Sequence, residues 1–146
     1  MKITLQQIAD EKEEIIIKYK QMTPQIEGIV KYLEGQTKKL FVLKDGQQIK
    51  IGIPDVIYLE SVDGTTFLYT HDEVYRIPLT LALFEIVYAD SGFLRCSKSM
   101  ILNICRIDRL KSMPGNRIDA TMDNGEHIVI SRRYAKALRI ILKEEA

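Results

Sequence analysis

Histidine and cysteine are scarce in this chain, with two of each. The cysteines, Cys96 and Cys105, are too few for a disulfide framework or a tetrahedral metal set. They read as small apolar thiols suited to burial. The histidines add no metal site: His71 precedes Asp72 and Glu73 in a polar, turn-like stretch, and His127 falls on a predicted strand. No apolar run approaches the roughly 20 residues of a membrane-spanning helix. The longest are short, such as Ile15-Ile16-Ile17 and Met100-Ile101-Leu102. The first residues, Met-Lys-Ile-Thr-Leu-Gln-Gln, lack the apolar core of a signal peptide, so a cytoplasmic location is expected. Asp45-Gly46 and Asp63-Gly64 lack the Lys-Ser/Thr and helix start of a phosphate-binding loop. No Gly-x-Ser-x-Gly nucleophile turn occurs. With these layouts missing, no catalytic residue, cofactor or metal is expected.

What is present is a chain of 146 residues, 46% hydrophobic and 28% charged, enough for one soluble domain with a small appendage. Its net charge of +1 hides an uneven distribution. Residues 1–36 hold five lysines against six acids, and residues 37–91 hold five Lys/Arg against eight. Residues 92–146 hold eleven Lys/Arg against six acids. A cationic last third fits a polyanion-binding face, and it also fits an ordinary solvated surface.

The sequence predicts a mainly β fold with short helices, preceded by a small strand-helix segment. Residues 14–20 are β-branched and strand-like. Thr23-Pro24 reads as a cap and first turn, and Ile26, Ile29, Val30 and Leu33 then fall at helical spacing, with Gly35 as a stop. This segment, 1–36, is too small for its own core and must pack on the rest of the chain or on a second copy. From residue 37 onward, short strands alternate with turns: Leu40–Leu43, Ile49–Ile53, Val56–Glu60 and Thr66–Thr70, with Asp45-Gly46 and Asp63-Gly64 as tight turns. Leu79–Tyr88, with Pro78 at its start, reads as one internal helix. Ile107–Met113, Arg117–Met122 and Glu126–Ile130 read as hairpin strands. Ser131 can cap a last helix over residues 132–143, with Tyr134, Leu138, Ile141 and Leu142 on one face.

Three polar elements stand out. The run Gly92-Phe93-Leu94-Arg95-Cys96-Ser97-Lys98-Ser99-Met100-Ile101-Leu102-Asn103 sets a knot of cationic and hydroxyl groups between apolar flanks. It reads as a core strand carrying a tip in which Ser97, Lys98 and Ser99 offer hydrogen-bond donors to phosphate oxygens or base edges. The bland reading is a surface lysine in a turn. Arg132 and Arg133 open the last helix, where the helix dipole prefers acids. They are either a solvated pair or the site of a bound anion. Asp63, Gly64, Thr65 and Thr66 form a polar hairpin tip, either a plain turn or a groove-inserting loop. Spacing alone does not bring the three together.

Several ordered segments, however, resemble the LytTR family of bacterial DNA-binding domains over about residues 39–142. Val56-Ile57-Tyr58-Leu59-Glu60-Ser61 resembles the family's opening strand, and Leu83-Phe84-Glu85 its helical Leu-x-Glu. The Gly92–Asn103 block resembles its most diagnostic segment. Asn124-Gly125-Glu126 and Ile130-Ser131-Arg132-Arg133-Tyr134 resemble its last hairpin and terminus. The chain departs from many members in carrying Ser97 where they have His, and Lys98 where Asn or Arg is common. It resembles short, stand-alone members without a receiver domain.

The resemblance implies LytTR-type antiparallel sheets and residues 37–146 as a DNA-binding domain; residues 1–36, too small for a core of their own, are expected to be a dimerisation element. The resemblance also implies a sequence-specific transcriptional regulator of double-stranded DNA on paired repeats, with loops in successive major grooves; the N-terminal segment, which needs a partner surface, adds the expectation of a homodimer. The implied contacts are Asp63, Gly64, Thr65, Thr66, Ser97, Lys98, Ser99, Arg132 and Arg133. Arg95 and Asn103 are expected to be structural, and Tyr58, Phe93, Leu102 and Tyr134 core. The alternative is a protein-interaction module sequestered by a small membrane protein.

Overall fold

The computed structural model describes residues 1–145. Residues 1–22 form no helix or strand, so the strand expected at 14–20 is absent. Ile15 and Ile16 are 73% and 67% exposed. A β-branched run holds a strand only where a neighbouring strand pairs with it, and among the described residues none does.

The first regular element is α1, Pro24–Thr37. The Thr23 hydroxyl caps it by accepting from the Ile26 N–H at 3.3 Å, and Pro24 occupies the first turn, where no N–H is needed. The helix runs through Gly35 instead of stopping there. Gly35 is buried, and a Cβ on it would fall well inside van der Waals contact distance of the Asp90 carbonyl oxygen. Its purpose is close approach, not termination. The Gln36 amide donates to the Ser91 carbonyl (3.1 Å), and the Ser91 hydroxyl donates to the Gly35 carbonyl (3.4 Å). Gly35→Ala is therefore expected to push α1 off the body at a cost of about 1–3 kcal/mol. A lower melting temperature and faster amide exchange confined to α1 would show it.

Seven strands make the main sheet: β1 Lys39–Lys44, β2 Gln47–Gly52, β3 Tyr58–Val62, β4 Thr65–Tyr69, β5 Val74–Ile77, β6 Phe93–Arg95 and β7 Met100–Asn103. Their spatial order is β2-β1-β5-β4-β3-β7-β6. Between β5 and β6 lies α2, Leu81–Val87. Its cap is Thr80, whose hydroxyl accepts from the Leu83 N–H, so the helix starts later than Pro78. A second sheet of β8 Ile107–Met113, β9 Arg117–Met122 and β10 His127–Ile130, in the order β10-β9-β8, leads into α3, Arg132–Glu145. Every strand pair is antiparallel. The mainly β architecture expected from the sequence is the one observed, with two differences in the main sheet. Strand β5 was not anticipated, and Gly92–Asn103 is a hairpin of two strands, not one strand with a tip.

Strand alternation divides the core in two. Tyr58, Leu94 and Leu102 face one way and meet Ile118, Ala120, Met122, Ile128 and Ile130 of the second sheet and Ala135 and Leu138 of α3. Leu59, Leu68, Ile77 and Ile101 face the other way and meet Leu40, Val42, Leu81 and Phe84. Strands β3 and β7 are thus buried on both faces, and they anchor the hairpin tips they carry. On α3, Leu138 is buried and Tyr134 and Ile141 are half-buried, as expected, but Leu142 is exposed and Ala135 takes a core position. Among the described residues no helix is long and apolar enough to cross a membrane.

Candidate nucleic-acid interface

The β3–β4 tip is a two-residue hairpin loop. Asp63 (φ 50°) and Gly64 (φ 79°) both take the left-handed conformation that lets a tight turn follow the twist of the flanking strands. Both are exposed and Thr65 is half-buried. Thr66 is only 5% exposed. It sits opposite Ile77 and points to the same side as Leu68, so it is turned inward, at the floor of a surface depression that it lines with Gly64 and Thr65. Of the four residues proposed at this tip, the structure leaves three at the surface.

The β6–β7 turn is held from inside. Arg95, its side chain only 20% exposed, donates from Nε to the Ser97 carbonyl (2.7 Å) and from its guanidinium to the Lys98 carbonyl and the Glu85 carboxylate of α2. Ser97 Oγ accepts from the Ser99 N–H (3.2 Å). Cys96 and Ser97 N–H both donate to the Met100 carbonyl. Burial pushes the Cys96 thiol up to about 12, which keeps it a neutral filler beneath the turn. Asn103 closes the far end of β7. Fully buried, it donates to the carbonyls of Val56 (2.9 Å) and Ile53 (3.3 Å) and accepts from the Cys105 N–H (3.2 Å). Arg95 and Asn103 thus have the structural roles expected of them. What projects from the turn is Lys98, exposed and without a side-chain hydrogen bond or ion pair among the described residues.

Helix α3 begins with Arg132 and Arg133, both exposed, and its first turn contains no acid. The Arg133 guanidinium lies over the Tyr134 ring, 5.5 Å from its centroid. Tyr134 is itself packed against the core, which gives the arginine a fixed platform. Two uncompensated cations at the positive end of a helix dipole are mutually unfavourable. An anion between them relieves the conflict.

Two backbone hydrogen bonds bring the elements together. Ser61 N–H donates to the Ser99 carbonyl (2.8 Å), tying the end of β3 to the β6–β7 turn. Ser131 N–H donates to the Cys96 carbonyl (2.9 Å), tying the entry of α3 to the other side of the same turn. The Ser97–Ser99 turn therefore sits between the Asp63-Gly64 tip and Arg132-Arg133. Among the expected site residues, Thr66 is the one that is buried. One cation was missed: Arg76, exposed on β5, lines the same 290 Å³ depression as Gly64 and Thr65. Its signal was the β-prone Val74-Tyr75-Arg76-Ile77, set between the His71-Asp72 bend and Pro78.

A family model described as the LytTr DNA-binding domain matches residues 46–143. The chain is 32% identical over 109 residues to the sensory transduction protein LytT of Bacillus subtilis (strain 168), covering 74% of this chain and 44% of that protein. It is 28% identical over 102 residues to the transcriptional regulatory protein YpdB of Escherichia coli (strain K12), covering 69% of this chain and 42% of YpdB. The chain thus spans less than half the length of these relatives. Among solved structures, the LytTr DNA-binding domain of a putative methyl-accepting/DNA response regulator from Bacillus cereus superimposes with a TM-score of 0.68 at 25% identity. That match covers 73% of this chain and 97% of the other.

Proposed function

The chain belongs to the LytTr DNA-binding domain family, and from that premise we propose that it is a sequence-specific transcriptional regulator that grips double-stranded DNA with loops. The observation that carries this reading is the convergence of Lys98 and Arg132-Arg133, exposed and without ion pairs among the described residues, around one backbone-braced turn. In this reading Lys98 and Arg133 reach base edges in the major groove, and Arg132 contacts phosphate. Asp63 is unsuited to phosphate, but its carboxylate can accept from a cytosine amino group. Arg76 adds a phosphate contact beside the same tip. Residues 1–36 supply a dimer contact, so that two interfaces address paired repeats.

Fluorescence anisotropy with duplexes drawn from the region upstream of the protein's own coding sequence, read across a salt series, tests this. Binding should weaken steeply as salt rises, because each phosphate contact releases counterions. Absent or salt-insensitive binding would remove the reading and favour a protein-interaction role.

Arg95 allows a narrower test. Arg95→Met removes the brace from the Ser97 and Lys98 carbonyls and leaves Glu85 unpaired. DNA affinity is expected to fall several-fold, and stability by about 1–3 kcal/mol, the cost of leaving buried hydrogen-bonding groups unmatched. A variant with full stability and full affinity would show that the turn needs no internal brace.

A further inference from the structure

We propose that residues 13–19 pair with the same residues of a second copy as an antiparallel two-stranded ribbon whose two-fold axis passes through Ile16. This deepens the dimer proposed above and rests on it, by naming the residues in contact and their register.

The segment is unfinished in a single chain. Among the described residues, no hydrogen bond or ion pair involves residues 1–22, yet Ile15, Ile16, Tyr19 and Met22 are each more than half exposed. An unpaired β-branched run of this kind is a template for pairing with another chain. An open groove of about 640 Å³ lies between it and α1, lined on its apolar side by Ile15, Ile17, Val30 and Leu33.

Charge complementarity selects the occupant. The sequence Glu13-Glu14-Ile15-Ile16-Ile17-Lys18-Tyr19 is acidic before Ile16 and basic after it. Antiparallel pairing about Ile16 sets Glu14 opposite Lys18 of the partner subunit, and symmetry repeats the pair. Ile15 meets Ile17 of the partner subunit, and Ile16 meets its own mate. Parallel pairing would instead set glutamate on glutamate and lysine on lysine. A one-residue slip would set Glu14 against Ile17 or Tyr19, depending on its direction. Beyond position 19 the like charges Lys12 and Lys20 come opposite each other, which ends the ladder. Alternation puts Ile15 and Ile17 on one face. There Val30 and Leu33 of α1 offer the apolar floor that a bare two-stranded ribbon needs for stability.

The test is sedimentation velocity of the full chain without DNA. Glu14→Lys or Lys18→Glu alone converts both symmetric pairs to like-charge pairs and should raise the dimer dissociation constant roughly tenfold. The double exchange should restore it, and an equimolar mixture of the two single variants should form a heterodimer tighter than either homodimer. In a Cys105→Ser background, Ile16→Cys should cross-link under mild oxidation, because residues on the axis face each other within disulfide reach, whereas Glu14→Cys should not. Unchanged thermal melts would verify that the body stays folded in every variant. A chain that is monomeric throughout overturns both ribbon and dimer. A dimer indifferent to the exchanges, or cross-linked at 14 and not at 16, overturns the ribbon alone. Neither result bears on DNA binding by the single domain.

Discussion

Asn103→Leu is expected to lower the melting temperature by roughly 10–15 °C, measured by calorimetry or circular dichroism. The side chain is fully buried and makes three hydrogen bonds, two to the carbonyls of Ile53 and Val56 and one from the Cys105 N–H. Leucine keeps the branching and the number of heavy atoms, but its methyl groups are bulkier than the amide, so some overpacking adds to the loss. The change leaves two carbonyls and an amide without the partner they have now. Each buried orphan costs about 1–3 kcal/mol, and with some relaxation the sum is about 3–5 kcal/mol. That is a large part of the total stability of a domain this size. Asn103 also ends β7, the strand whose other end carries Lys98. Its loss should therefore reduce DNA affinity in proportion to unfolding, and binding should recover at lower temperature. A melting temperature within 2–3 °C of the parent would show that water replaces the amide at little cost.

Much of this fold was legible because its local signals agree with its tertiary structure. Asp45-Gly46 and Asp63-Gly64 announce hairpins that form as read, since both central residues adopt positive φ. The alternation in β3 and β9, and the amphipathic face of α3, lead directly to core positions. The misreadings share a cause: the deciding neighbour is distant in the chain. Gly35 near a helix end reads equally as a stop or as a site of close approach, and only Asp90, 55 residues on, decides. Residues 14–20 have strand propensity but, among the described residues, no strand to pair with. Strand β5 is four residues long and exists because β4 and β1 flank it. Thr66 differs from exposed loop residues by one step of strand parity, which is enough to turn it inward. The grouping of the site depends on the Ser61–Ser99 and Ser131–Cys96 hydrogen bonds, and no pattern within one segment reports them.

Alanine at Lys98 or at Arg133 is expected to weaken specific DNA binding by about 1–3 kcal/mol each, or roughly 5- to 150-fold. Neither residue makes a side-chain hydrogen bond or ion pair among the described residues, so melting temperatures should scarcely move. For Arg133 the loss of its contact with Tyr134 sets a limit of about 0.5–1 kcal/mol. The pattern of loss separates the roles. A base contact fails mainly on the specific duplex and relaxes the preference at one position, whereas a phosphate contact weakens all duplexes alike and reduces the salt slope by about one. Arg132→Ala should follow the phosphate pattern. Arg133→Lys sharpens the distinction, because lysine keeps the charge but loses the planar fork that reads guanine through two bonds. If Arg133 reads a base, the lysine variant should retain non-specific affinity and lose specificity. If it only neutralises phosphate, the lysine variant should bind as the parent does. Unchanged binding by both Lys98→Ala and Arg133→Ala would remove the interface assignment. The DNA contact would then have to lie away from the turn that Ser61 and Ser131 brace.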